Sequence, residues 1–409
     1  MLPPVLEIYV VWHPDDLAGA GVAQDFVQHF HGTRFGGLVG GAIEVYVRSV
    51  GWRGPADAPR PLPFPGVPVL NGVVAAQLVA VVPVLGTELA AVVESGTGPW
   101  HDYAIDIVTT RDAHPECVGV FPVVVDCAAV DGTKLNRIFG RFHRIGRSAP
   151  VEQESSSRCR DLAQGIAQWA GDPRLTVFIS HTSRTAPGDE PQVASLIELL
   201  RSVIGQTCLD DFFDTNDLQP GVDWDKEIRS AASTGALLAI RTDLYASREW
   251  CQREVLCAKC AGIPVVVLDA LRRGEERGSF LLDHVPRVPV RHHCDDERRA
   301  DILTGLNLLV DECLKGVLWR RQRELAQGRA DLEVAWWAPH APEPATLVAW
   351  LAAERTAGRL TGADSARILH PDPPLGTDEK KVLEQMAKLG GLAGGLDIMT
   401  PRMLAARGG

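Results

Sequence analysis

Leu175-Thr-Val-Phe-Ile-Ser180 is a short apolar run that passes directly into the polar loop His181-Thr-Ser-Arg-Thr185. A bounded apolar run of this length reads as a buried strand, and its carboxyl end opens onto the loop. Working outward, a helix is expected over Val193–Val203 and a strand near Leu209–Phe213. The loop Asp214-Thr-Asn-Asp-Leu-Gln-Pro-Gly221 follows, then a helix over Trp224–Ala232, a strand over Ala236–Ile240 and a helix over Arg248–Ala261. Ile263-Pro-Val-Val-Val-Leu268 is a fully apolar strand, and a long helix is expected from about Glu297 to Leu325. Its Leu303, Leu306, Val310, Leu314 and Val317 recur at three and four. Strands alternating with helices imply an α/β fold, with a parallel sheet covered on both faces.

The 409 residues correspond to about 2.7 domains at ~150 residues each. Charged residues at 23% and hydrophobic ones at 45% are ordinary for a globular chain and argue against wholesale disorder. A net charge of −11 makes general nucleic-acid binding a poor expectation, because phosphate neutralisation needs surplus Lys and Arg. Nine irregularly spaced cysteines are too few for a disulfide scaffold and favour reduced thiols and a cytoplasmic address. The start, Met1-Leu-Pro-Pro-Val-Leu-Glu, does not read as a signal peptide. Gly72–Val93, the most apolar stretch, is interrupted by Gln77, Pro83 and Glu88, so no membrane span is expected.

Before the central region, residues 1–148 read as an α/β unit with strands at Leu6–Trp12, Ile43–Val47, Leu78–Val84 and Val118–Val125, and a helix at Ala20–Phe30. Residues 149–173 form a connector with a helical pattern through Leu162, Ile166 and Trp169, and the central unit spans 174–328. A shorter α/β unit fills 329–409, with strands at Leu332–Trp337, Arg367–Leu369 and Leu396–Met399. A faint repeat links the units. Asp217-x-x-Pro-Gly221-Val-Asp223 matches Asp372-Pro-Pro-Leu-Gly376-Thr-Asp378 in spacing, and Pro65-Gly66-Val67 closes the comparable loop of the first unit. The third unit then reads as a truncated copy.

Four segments of the central unit carry a resemblance. They are Val177-Phe-Ile-Ser-His181, Phe213-Asp-x-x-Asp-Leu-x-Pro-Gly221-x-x-Trp224-x-x-x-Ile228, Leu237-Leu-Ala-Ile240 and Ser247-x-x-Trp250-Cys251-x-x-Glu254. In order and at ordinary spacing, they resemble a Toll/interleukin-1 receptor (TIR) domain. That resemblance implies a flavodoxin-like parallel five-stranded sheet, with degenerate TIR-like units on either side. It also implies either cleavage of NAD+ at the nicotinamide–ribose bond or scaffolding by TIR–TIR contacts. A bacterial-type enzyme of this kind implies an anti-phage immune effector, active as a homo-oligomer or filament.

The residues are compatible with the NAD+ glycohydrolase that the resemblance implies. Trp250 and Glu254, at i and i+4, are expected on one helical face. An aromatic plane beside a carboxylate suits a flat ring attached to ribose. The leaving nicotinamide departs neutral and needs no general acid, so one carboxylate near the ribosyl oxocarbenium ion is enough. Glu254 is therefore the catalytic candidate. Ser180, His181, Ser183 and Arg184 sit where ligands bind in open parallel sheets, and Arg184 suits a pyrophosphate. Asp214 and Asp217 are candidates for substrate hydroxyls, against ordinary Asx turns, and Cys251 adjoins the site. The loop Asp214–Val222 is the expected switch, since Gly221 permits backbone change.

Elsewhere the reading is blander. In Trp100-His-Asp-Tyr-Ala104, Ala104 stands where Glu254 would, so the first unit lacks the carboxylate. Cys257-x-x-Cys260 and His292-His-Cys294 favour packing or loop over metal, and no metal or cofactor is expected, NAD+ being substrate. Lys134, Arg137, Arg141, Arg144 and Arg147 form a basic stripe at three and four, a solvated helix face or the contact for an anionic nucleotide signal or a second subunit. No P-loop and no GxGxxG after a strand is present, which removes the Rossmann and P-loop readings. The alternatives to catalysis are a non-catalytic TIR adaptor and a receptor for a nucleotide signal.

Overall fold

The computed structural model describes residues 5–32, 34–35, 43–51, 53–54, 56–65, 76–146, 154–171, 176–182, 190–209, 212–214, 235–327, 333–360 and 365–407. The chain divides into two compact units, Met1–Ala170 with Arg320–Ala326, and Gly171–Trp319 with Gln327–Gly409.

The first unit contains β1 (Leu6–Val11), α1 (Leu17–Phe30), β2 (Ile43–Arg48), β3 (Leu78–Leu85), α2 (Thr87–Glu94), α3 (Pro99–Ala113), β4 (Val118–Val120), β5 (Val123–Val124), α4 (Lys134–Phe139) and α5 (Glu154–Ala170). Its strands are parallel and ordered β2-β1-β3-β4, with β5 also pairing with β3. β1 and β3 are buried along their whole length, β3 as a continuous apolar run in a doubly covered sheet should be and β1 with Glu7 buried among its apolar residues. β2 alternates Ile-Glu-Val-Tyr-Val-Arg and takes the edge. The strand expected over Val118–Val125 is split, because Pro122 has no N–H for the ladder. The expected connector helix is α5. Its Trp169 indole donates to the Pro115 carbonyl at 2.9 Å, and its ring lies so close to Gly119 that a Cβ there would come within 2.9 Å of it.

The basic stripe does not survive as a stripe. The helix that begins it, α4, ends at Phe139. Beyond it Arg141 pairs with Asp112 at 2.5 Å and Arg144 donates to Asn136 at 2.7 Å, while Lys134 donates to the Glu94 carbonyl at 2.6 Å. Arg147 lies outside the described residues.

The second unit opens with β6 (Thr176–Ser180), α6 (Glu190–Ile204), β7 (Phe212–Asp214), β8 (Gly235–Arg241), α7 (Glu249–Ala261), β9 (Val265–Asp269), β10 (Arg287–Pro289) and α8 (Asp295–Gln327). The five strands are parallel in the order β10-β9-β8-β6-β7. This is the doubly wound flavodoxin-like arrangement, in which the order reverses between the first and third strands. α7 ends on Gly262 at φ 74°, and a Cβ there would lie 2.9 Å from the Pro339 ring. Only glycine meets both demands at this stop.

The same unit continues through β11 (Trp336–Trp337), α9 (Pro344–Thr356), β12 (Ala366–Leu369), α10 (Thr377–Leu389), β13 (Leu396–Met399) and α11 (Pro401–Ala406). Here the strands run in chain order, β11-β12-β13, without the reversal of the other two sheets. The strand order of the expected truncated copy differs from that of the other two sheets. β11 is two half-buried tryptophans, too short to be the centre of a sheet, so the apolar β12 takes that place. Gly376 of the repeat motif has φ −61° and caps α10, its N–H donating to Glu379 at 2.8 Å. Its counterparts Gly66 and Gly221 lie outside the described residues.

No helix among the described residues is long and apolar enough to cross a membrane.

Candidate functional site

α7 turns Cys251, Val255 and Ala258 into a core that also holds Leu237, Ala239, Tyr245 and Val267. These helix positions are four and three apart, one apolar stripe. Glu254 falls on the buried side of the helix and is 1% exposed. A buried carboxylate requires hydrogen-bond donors. β6 and the turn after β8 supply them. Ser180, the last residue of β6 and opposite Ala239 of β8, is fully buried, and its Oγ donates to Glu254 Oε2. Tyr245, in the turn Tyr245–Ser247, has its hydroxyl 2.6 Å from the same Oγ. A serine hydroxyl has one proton, so with that proton on the carboxylate the tyrosine donates to Ser180. The chain therefore runs Tyr245 to Ser180 to Glu254.

The electrostatics follow from the burial. Desolvation, with the nearby Cys251 and Glu254 charges, holds the Tyr245 phenol well above its ordinary range, so it stays a donor. Burial first, and the Glu254 charge second, pushes the Cys251 thiol up to about 12. Its Sγ sits 3.9 Å from the His181 carbonyl oxygen. The trio lies at the carboxyl end of β6, beside β8, where the sheet order reverses; open α/β sheets bind ligands there.

Of the residues singled out in the sequence, the structure brings Ser180, Glu254, Cys251 and the His181 backbone together. Asp214 pairs with Ile179 across β6 and β7. Ser183, Arg184 and Asp217 lie outside the described residues, as does the switch loop after Asp214.

Trp250, the aromatic expected beside the carboxylate, differs from it in burial. It is 51% exposed, with the Arg253 guanidinium 5.8 Å over its ring, whereas Glu254 is sealed in. Four residues at 3.6 per turn leave a rotation of roughly 40°. At the first turn of α7 that rotation carries the side chain from core to solvent. Tyr245 was missed. The available signal was an aromatic residue with a hydroxyl just past a buried strand, since such a group needs a partner.

Cys257 and Cys260 lie on α7, half-buried and exposed, and His292 meets the Leu271 carbonyl at 3.0 Å. Among the described residues no group of three or more His, Cys, Asp or Glu is arranged to hold a metal ion.

No protein-family model matches the chain, and none of the curated proteins matches it.

Proposed function

We propose that the second unit is a TIR-type NAD+ glycohydrolase with Glu254 as its catalytic carboxylate. The observation that carries this reading is the Tyr245–Ser180–Glu254 chain at the reversal point of a 2-1-3-4-5 parallel sheet. In the reaction the C1′–N bond to nicotinamide breaks and its electron pair neutralises the pyridinium nitrogen. Water then adds to C1′ and loses a proton. Glu254 stabilises the positive charge that develops on the ribosyl ring, and the low-dielectric surroundings strengthen that interaction. Ser180 and Tyr245 hold the carboxylate in one orientation.

At 1% exposure Glu254 meets a substrate only after local opening. That favours a resting state which self-association converts to the active one, as expected of a cytoplasmic immune effector held silent until triggered. The same burial also favours a second reading. A buried carboxylate that accepts from a buried hydroxyl is what a structural residue in a non-catalytic adaptor looks like.

Nicotinamide release from NAD+ separates the two. The full chain is assayed dilute and after forced clustering, beside Glu254→Ala and Glu254→Gln, with thermal melts of all three. The catalytic reading expects release on clustering, lowered in both variants by about 100-fold or more while Glu254→Gln melts like wild type. Equal rates in all three proteins, or no release from the clustered wild type, would leave the adaptor reading standing.

A further inference from the structure

One face of the first unit's sheet edge changes character along the strands. The register pairs Glu7 with Glu44, Tyr9 with Tyr46 and Val11 with Arg48, and side chains two apart share a face. The face is acidic at the amino end, aromatic in the middle and basic at the carboxyl end. Tyr9 and Tyr46 stack with centroids 5.2 Å apart. The Arg48 guanidinium lies 4.9 Å from the Tyr9 ring and 5.7 Å from the Tyr46 ring. Arg60 borders the same cluster, and its backbone carbonyl accepts from the Tyr103 hydroxyl at 3.4 Å.

Glu7 feels the attraction of the Arg48 charge, but no ion pair among the described residues engages either arginine. Arg48 donates to the Val47 carbonyl at 2.9 Å, and its buried Nε has no hydrogen-bond partner. Neither Arg48 nor Arg60 has a carboxylate within ion-pair distance among the described residues. The nearby acids have other close contacts: Glu7, which also feels the Arg48 charge, accepts the Tyr9 hydroxyl at 2.8 Å, and Glu44 lies 3.8 Å from His31. Tyr46, at 37% exposure, offers an accessible ring.

We infer that Arg48 and Arg60, with Tyr46, form a binding site for a nucleoside phosphate, the arginines taking the phosphate and the tyrosine stacking on the base. Two unpaired cations beside an accessible aromatic face match that chemistry. The carboxyl end of the strands is also where open α/β sheets take ligands. Burial, then the like charge of Arg60, already lowers Arg48 below the ordinary guanidinium range, a strain that a phosphate anion would relieve. The site is independent of Glu254 and its chemistry.

The test is calorimetric titration of the full chain with ADP, pyrophosphate and adenosine. Wild type should bind ADP more tightly than pyrophosphate, and adenosine weakest. Arg60→Glu reverses a charge on an exposed side chain, so it should fold normally. It should weaken ADP binding by about tenfold or more, and Arg48→Lys, which keeps the charge and loses the fork, by less. Glu254→Ala should bind ADP as wild type does, which separates this site from the second unit's. Absence of ADP binding by wild type, or unchanged affinity in Arg60→Glu, would overturn the inference. Loss of binding in Glu254→Ala with none in Arg60→Glu would do so too, by assigning the ligand to the other site.

Discussion

In the first unit, a carboxylate at the sheet's reversal point is Asp16, in the loop after β1. It accepts from the Glu88 and Leu89 backbone N–H groups at 2.9 and 3.0 Å and so caps α2. Gly86 makes room for it, since a Cβ there would collide with the carboxylate. In the second unit, a carboxylate at the sheet's reversal point is Glu254, carried on α7 and accepting from the Ser180 hydroxyl, which Tyr245 bonds in turn. The paired tryptophans differ as well. Trp100 is 3% exposed and packs on His13 and Tyr103, whereas Trp250 is half-exposed. Two sheets of one strand order thus use a carboxylate differently, one to finish a helix and the other in a hydroxyl chain that no helix end requires.

If Glu254 is not the anchor of α7, something else must be, and one turn further on lies Lys259. It is buried, paired with Glu343 at 2.8 Å and bonded to the Asp283 carbonyl at 2.8 Å. Lys259→Met strands the Glu343 carboxylate in the interior, and the expected loss is about 3–5 kcal/mol of the second unit's stability in urea unfolding. Adding Glu343→Leu should restore most of it, because the pair is costly to break and cheap to replace whole. A double variant as unstable as the single one would show that packing around Lys259, and not the stranded charge, is responsible.

The next contrast is smaller and more pointed. Asp16→Ala removes a cap on α2 and should cost the first unit about 1–2 kcal/mol. Glu254→Gln keeps an acceptor for Ser180 and should cost the second unit less than about 1 kcal/mol. Denaturation followed by hydrogen exchange, which reports on each unit, tests both. A larger loss from Glu254→Gln than from Asp16→Ala would make Glu254 the structural carboxylate and erase the difference between the sheets.

How far the chain could be read in advance depended on where the information lay. β3 was legible because a continuous apolar run bounded by turn residues has one reading. α8 was legible because its stripe holds over many turns. β10 was not, since Arg287-Val-Pro289 has neither length nor alternation and is a strand only because β9 is beside it. The third sheet's order was hidden for a similar reason: local spacing matched the repeat, but which strand sits centrally is decided by burial. At the site, Ser180 and Glu254 were legible as residue types at strand and helix positions. Their direct bond was not, nor was Tyr245, because both depend on three segments converging. The exposure of Trp250 was not legible, because a shared helical face is a direction, while exposure depends on what the helix packs against.

The weakest contrast is in pH response, and it has opposite signs in the two units. His370, at the end of β12, is 1% exposed and its Nδ1 lies 2.8 Å from the Pro371 carbonyl. Burial lowers its pKa below the ordinary 6.5. The unfolded chain therefore takes up the proton first, so this contribution is complete above pH 6.5 and is lost as pH falls through the folded value. Glu7 in the first unit goes the other way. Burial raises it above 4.5, so its contribution is complete below that and is lost as pH rises through the folded value. Between these limits, acidification should weaken the second unit while relieving the first, each with a slope of at most about 1.4 kcal/mol per pH unit for one proton. His370→Gln should flatten the second unit's acid slope and Glu7→Gln the first unit's opposite one, measured by hydrogen exchange at several pH values. Parallel slopes in both units, unchanged by either substitution, would mean that other groups set the acid response and that these two buried side chains do not distinguish the sheets.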